Sequence, residues 1–192
     1  MGGADWVLGV LGLLDAVLGA RALVIAGAEA SGKTALLASW LARVPAEVPL
    51  VVVSYWDEMK LSRPFLRLDL WGWALGERSA EELVRFVSPG ALVAVDHADC
   101  PSVMALVARL LAAGLRVWWC ASRLLAPSCL ELVSFLRWFS RAGGCPLPHD
   151  VPDVAVLLRE RRPGMAPGIE EVSVSGEVVW KCGAEAESAG KR

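Results

Sequence analysis

Residues 22–40, ALVIAGAEASGKTALLASW, most constrain what this chain can fold into, because an apolar run, a glycine-bracketed loop and a helical pattern follow one another without a break. Gly27, Gly32, Lys33 and Thr34 fill the pattern G-x-x-x-x-G-K-[ST]. In such a loop the backbone N–H groups wrap a phosphate, and the helix that follows turns its positive dipole end toward it. The spacing therefore predicts a strand, a phosphate loop of Gly27, Ala28, Glu29, Ala30, Ser31 and Gly32, and a helix running from about Gly32 to Arg43. Lys33 is expected to bridge the β- and γ-phosphates of a nucleotide, and the Thr34 hydroxyl to join the shell of a Mg²⁺ ion.

The 192 residues suffice for one domain with one substantial core. We place that domain over 1–182 and read the polar tail 183–192 as disordered. Hydrophobic residues make up 55% and charged residues 21%, which calls for either a large core or apolar surface that meets a partner. Trp6 to Ala20 is apolar, yet it contains Asp15 and is shorter than the ~20 residues a spanning helix needs. No Lys or Arg precedes it, so it does not read as a signal peptide, and a cytoplasmic protein is expected. The five cysteines show no C-x-x-C pairing, and the two histidines stand far apart, which argues against a disulfide framework or a zinc site. A net charge of −2 offers no global attraction to nucleic acid, so DNA is a possible partner that charge does not support.

Other segments take their place around the loop. Residues 6–19 read as a helix closed by Gly19, and Pro49 to Tyr55 as a central strand. That strand runs into Trp56, Asp57 and Glu58, at the strand end where open α/β sheets place their ligands, so Asp57 or Glu58 is expected to orient the water that attacks a γ-phosphate. No element is assigned over 60–78, and residues 80–87 read as a helix capped by Ser79. ALVAV at 91–95 leads into Asp96, whose carboxylate is expected to hold Mg²⁺ through water. His97 reads as a turn histidine, with contact to a γ-phosphate as the alternative. Pro101 to Ala113 is a helix ended by Gly114, and Leu115 to Ala121 a strand that sets Ser122 and Arg123 on the nucleotide side. A helical patch, LELVSFLRWF, precedes RAGGCPLPHD, read as a flexible loop. Val154 to Leu158 is a further strand, and 170–181 a hairpin turning at Ser175-Gly176.

Four anchors, LLDAVLG at 13–19, GAEASGKT, VVVSYWDE and ALVAVDHAD, followed by LLAAGLRVWWCASR, resemble the RecA-like ATPases, particularly the KaiC/RadA branch with its short RadA paralogues. The resemblance implies an α/β fold with a mostly parallel central sheet, helices on both faces and a closing antiparallel hairpin. It implies ATP and Mg²⁺ as cofactors, Thr34 and Asp96 at the metal, Lys33 with Asp57 or Glu58 as catalytic residues, and Ser122 near the nucleotide. It also implies assembly with further copies or another protein, for which Arg137 and Arg141 are the candidate charges donated across a subunit boundary. VPDVAVLLRERR with the hairpin is similar to the antiparallel strands that finish the sheet in that family.

Two functions of different class fit these residues. One is a slow Mg-ATPase. The other is a nucleotide-gated interaction module whose tryptophans dock a partner, against which stands the reading that Trp71, Trp73, Trp118, Trp119 and Trp138 are all core. A small-molecule kinase, with RERRPG at 159–164 as its lid, is a third.

Overall fold

The computed structural model describes residues 12–55, 59–122, 128–148, 150–159 and 168–182. Among them the chain forms α1 (Leu13–Gly19), β1 (Ala22–Gly27), α2 (Lys33–Leu41), β2 (Leu50–Ser54), β3 (Leu66–Asp69), α3 (Trp71–Ala74) and α4 (Ala80–Phe86). It continues through β4 (Leu92–Val95), α5 (Pro101–Ala112), β5 (Arg116–Ser122), α6 (Cys129–Ala142), β6 (Val154–Leu158), β7 (Ile169–Val174) and β8 (Glu177–Lys181).

The eight strands make one sheet in the order β3-β2-β4-β5-β1-β6-β7-β8. The pairs from β3 through to β6 are parallel, and β7 and β8 close the sheet antiparallel. This bears out the mostly parallel α/β architecture with its closing hairpin and refines one expectation: β6 lies parallel to β1 on one side and antiparallel to β7 on the other, so it is where the sheet changes direction.

Near-continuous apolar strands arise because both faces of the sheet are covered. Successive residues serve opposite layers. Val24, Val53, Val95, Trp119 and Leu157 pack beneath α3, α4, α5 and α6. Leu23, Ile25, Val52, Trp118 and Val156 pack beneath α1 and α2. Helix α2 buries Lys33, Leu36, Leu37, Trp40 and Leu41, one face repeating every three to four residues. Full burial of Trp40 removes ~150–250 Å² from water, about 4–6 kcal/mol at most.

Several local expectations need correction. Gly19 closes α1 from inside, Ala20 being the cap, and α2 ends at Leu41 rather than Arg43. Residues 60–78 contain an edge strand, β3, and the short α3, neither of which the sequence pattern marks. The segment after α6 is not a loose loop: Cys145 and Leu147 are buried, and Leu147 N–H donates to Ser140 Oγ at 3.0 Å. A Cβ at Gly143 would collide with the Pro101 carbonyl, which explains glycine where α6 meets α5.

Other expectations hold. Ser79 Oγ accepts from Glu82 N–H as a helix cap, Gly114 has φ +84°, and Ser175-Gly176 turns the hairpin with φ +50° and +84°. The tryptophans divide: Trp73, Trp118 and Trp119 are core, whereas Trp71 and Trp138 stand 48% and 63% exposed. No helix among the described residues is long and apolar enough to cross a membrane.

Candidate functional site

The site gathers at the carboxyl ends of β1, β4 and β5. Strand β1 delivers Gly27, and α2 begins at Lys33, so residues 28–32 must reverse direction within five positions. Ala30 at φ +55° and Gly32 at φ +95° make that reversal in the left-handed region. Alternation of right- and left-handed residues points successive N–H groups to one side, which forms an anion-binding hollow. The first N–H groups of α2 have no partner within the helix and point the same way. A Cβ at Gly27 would collide with Ser31 Oγ and stand 3.0 Å from Leu158 Cβ, so only glycine fits where the loop leaves the sheet.

Lys33 is buried, and its ammonium donates to the carbonyls of Gly27 at 3.0 Å and Ala28 at 2.9 Å. An ammonium carries three N–H bonds, so one remains for an anion in the hollow. Ser31 Oγ is also buried, with no hydrogen-bond partner among the described residues. An orphaned hydroxyl and a cation inside a ring of backbone donors fit a phosphate group.

Strand β5 lies between β1 and β4, yet Thr34 reaches across its end: the hydroxyl donates to Asp96 Oδ2 at 2.9 Å and lies 3.2 Å from Oδ1. Val95 faces the α5 layer, so Asp96 turns to the α2 side, where it is buried. Burial pushes its carboxyl up, but hydrogen bonds from His97, Thr34 and Cys120 together with the charge of His97 outweigh that and hold it below the ordinary 3.8. Burial, then the charge of Asp96, pushes the Cys120 thiol far up, which keeps it neutral.

His97 Nδ1 stands 3.4 Å from Asp96 Oδ2, and the neighbouring Asp96 carboxylate is the main cause that raises its pKa above 6.5. His97 has φ +66°, unusual for a residue with a Cβ. The following turn is stitched to β5 by Ala98 N–H to the Cys120 carbonyl at 2.8 Å and by Ser122 N–H to Asp99 Oδ1 at 2.5 Å. Tyr55, at the end of β2, lies with its ring 6.1 Å from His97 and 4.7 Å from Trp71. Burial first, then Cys100 and Asp99, raises the Tyr55 phenol to about 12, so it stays protonated.

The structure thus brings together the loop from Gly27 to Gly32, Lys33, Thr34 and Asp96, and sets Ser122 beside them as the register partner of Gly27. Ala28, Glu29 and Ala30 rim the hollow with half-buried to exposed side chains. Asp57, Glu58, Arg123 and most of RERRPG lie outside the described residues. The geometry of His97 and the staple through Asp99 are additions that pattern reading missed; the only sequence signal was their place directly after Asp96.

A Mg²⁺ ion takes hard oxygen donors, usually one or two carboxylates with phosphate oxygens and water. The neighbouring Thr34 hydroxyl and Asp96 carboxylate fit that chemistry. Among the described residues no group of three or more His, Cys, Asp or Glu is placed to hold a metal alone, so a phosphate would have to supply further oxygens.

No family model and no curated protein matches the chain. Solved structures do. The VirB11 ATPase of the Brucella suis type IV secretion system, in complex with sulphate, has a TM-score of 0.63 at 20% identity, over 88% of this chain and 53% of that one. The Legionella pneumophila ATPase DotB gives 0.58 at 17%, over 85% and 48%. The Yersinia pseudotuberculosis ATPase DotB gives 0.54 at 11%, over 88% and 48%. The chain spans about half the length of these secretion ATPases. At such identities the likeness is one of fold, and it joins the strand order and the loop in a single conclusion: this is an α/β chain with the RecA-like P-loop ATPase fold.

Proposed function

We infer that the chain binds Mg-ATP and hydrolyses it slowly. The observation that carries this reading is the Thr34 hydroxyl on the Asp96 carboxylate at 2.9 Å, beside a lysine-bearing loop built for an anion. Two residues 62 positions apart meet where the end of a triphosphate held by the loop would lie. Backbone N–H groups from Ala28 to Gly32 and the start of α2 bind the phosphates. Lys33 exchanges its carbonyl contacts for the β- and γ-oxygens, and Ser122 lines the floor beside Gly27. Thr34 and Asp96 would hold Mg²⁺, which when bound neutralises charge on the β- and γ-oxygens. Asp57 or Glu58, carried just past β2, orients the attacking water. Catalysis here is positioning and charge stabilisation.

The lead-in LLDAVLG and the order of motifs support descent from the KaiC/RadA branch, and the fold likeness to secretion ATPases is consistent with any RecA-like lineage. We assign the protein to the cytoplasm and to a homo- or hetero-oligomer in which Arg137 or Arg141 completes a neighbour's site. The exposed Trp71 and Trp138 favour a second reading, a nucleotide-gated module that docks a protein partner and turns over little. Glu58→Gln separates the two, because an enzyme loses turnover while keeping ATP, and a module keeps its docking.

Calorimetry of Lys33→Ala with Mg-ATP tests the site itself. Affinity is expected to fall at least tenfold, about 1.4 kcal/mol, because the loop loses its one full positive charge. Unchanged affinity would overturn the phosphate site.

A further inference from the structure

Helix α6 packs beside α5 and over β6 and β7, with Cys129, Leu132, Leu136 and Ser140 turned inward. Its opposite side faces outward, uncovered by any of the described residues. There Leu130 is 66% and Trp138 63% exposed, with Glu131, Ser134, Arg141 and Ala142 exposed around them. A surface helix normally turns polar groups to water, so an indole and a leucine on the outward face call for a cover. The indole is also held in place, with Phe135 at 5.9 Å and Phe139 at 6.3 Å between ring centroids. A ring fixed in this way loses little freedom when something docks on it.

The outward residues are arranged symmetrically. Leu130 with Ala142, Glu131 with Arg141, and Ser134 with Trp138 are three pairs, each centred on position 136. Positions 131, 134, 138 and 141 also stand three, four and three apart, the seam along which two helices pack side by side. When such a face meets its own copy antiparallel, the two members of each pair fall level with one another. Glu131 then stands level with the partner's Arg141, and Trp138 with the partner's Ser134. Ser134 suits that place, because its hydroxyl donates to the Leu130 carbonyl at 3.0 Å and leaves a shallow recess that needs no polar partner. The Ser128 cap takes only the Glu131 N–H, and neither the Glu131 carboxylate nor the Arg141 guanidinium has a hydrogen bond or ion pair among the described residues. A carboxylate in the first turn and a guanidinium in the last also suit the helix dipole, which accounts for the two charges but not for the indole set against the serine.

We propose that α6 is the contact of a twofold homodimer, in which a second copy of this chain lays its own α6 antiparallel along Glu131, Ser134, Trp138 and Arg141. A twofold contact must be self-complementary, which is what the paired spacing supplies. Both Trp138 rings leave water, and the two Glu131–Arg141 pairs set the direction, since a parallel pairing would bring like charges level at each end. The strip offered by a 14-residue helix is about 21 Å long and ~12 Å wide, well short of the ~800 Å² that each partner gives a standard interface. The dimer is therefore weak and reversible, half-formed at roughly 10–100 μM. This carries the proposed assembly further: its partner is a second copy, and Arg141 serves the partner's Glu131 instead of a nucleotide.

Sedimentation velocity of the full chain without nucleotide, from about 1 μM to about 1 mM, tests it. Wild type is expected to pass from monomer to dimer across the series. Trp138→Ala, Glu131→Arg and Arg141→Glu, all on the exposed face, are each expected to raise the dissociation constant at least tenfold. Either charge variant alone brings like charges level, whereas an equimolar mixture of Glu131→Arg with Arg141→Glu restores two opposite-charge pairs. That mixture is expected to dimerise within threefold of wild type, a rescue that a variant which had failed to fold could not give. Wild type that stays monomeric throughout overturns the proposal and leaves the face to a different protein. Variants that dimerise within twofold of wild type overturn it and put the contact on another surface. A mixture no tighter than its separate components overturns the antiparallel pairing. Because no nucleotide is present, failure of the nucleotide reading leaves these results unchanged, and loss of the dimer leaves the phosphate site standing.

Discussion

Asp153→Ala should loosen the strand that carries the phosphate loop without touching the loop. Asp153 Oδ2 accepts from two consecutive backbone donors, Arg21 N–H at 2.7 Å and Ala22 N–H at 2.9 Å, where β1 enters the sheet. The backbone of Asp153 also ties in, its N–H donating to the Ala22 carbonyl at 2.9 Å and its carbonyl accepting from Ser175 N–H at 2.7 Å. Ala22 is fully buried, so truncation strands a donor that water cannot reach, at about 1–3 kcal/mol. Arg21 is half-buried and recovers water in part, adding about 1 kcal/mol. The sum is about 2–4 kcal/mol, which at a urea slope of ~2 kcal/mol/M lowers the midpoint by about 1–2 M. Asp153→Asn keeps a carbonyl acceptor and should lose about half as much. Below the transition, nucleotide affinity should match wild type, since the six residues of β1 separate Asp153 from the loop. A midpoint unchanged within about 0.2 M, or equal losses for Ala and Asn, would refute the reasoning.

Asp96→Asn should fold, and should weaken Mg²⁺-dependent nucleotide binding more than metal-free binding; equal affinities for variant and wild type across a Mg²⁺ titration would remove Asp96 from the metal. The Asp96–His97 pair makes stability depend on pH. Because folding raises the His97 pKa above 6.5, its contribution is complete below that value and is lost as pH rises through the folded-state value, so urea midpoints should decline on the alkaline side and the decline should vanish in His97→Asn. Gly143→Ala must push α6 off the Pro101 carbonyl, a loss of about 1–3 kcal/mol read as a lower melting temperature, and a melting temperature equal to wild type would show that the helix end yields freely.

What the sequence discloses depends on whether a residue's role is local. Continuous runs such as ALVIAG, LVVVS and VAVLL declare strands covered on both faces, and the glycine loop declares its own neighbour. Strand β3, LRLD, is four residues long and mostly exposed at the sheet edge, so it carries no apolar run to find. The direction of β6 was hidden because it depends on where the chain crosses after α6. Asp153 escaped notice for the same reason, its partners being 132 and 131 positions away. Motif spacing led from Thr34 to Asp96, but no spacing rule reports that His97 turns left-handed and pairs with its own neighbour. The tryptophans show the limit of composition: Trp118 and Trp119 are consecutive in β5 and serve opposite layers, whereas Trp71 and Trp138 serve neither fully.

The insertion of β5 between β1 and β4 has a consequence for how the chain reaches its native state. The Thr34–Asp96 contact bridges two strands that are not neighbours, and the strand filling the gap is made later in the chain than both. A partly folded chain in which β1 and β4 pair directly would stand ~4.8 Å too narrow at this point and would misplace Thr34 against Asp96. On the reading proposed above, the Thr34–Asp96 side of the nucleotide site exists only once β5 is in place, and ligand at 100 times its dissociation constant would add about 2.7 kcal/mol against forms that lack it. During synthesis, the first triphosphate to bind would report that the fifth strand had slipped into place.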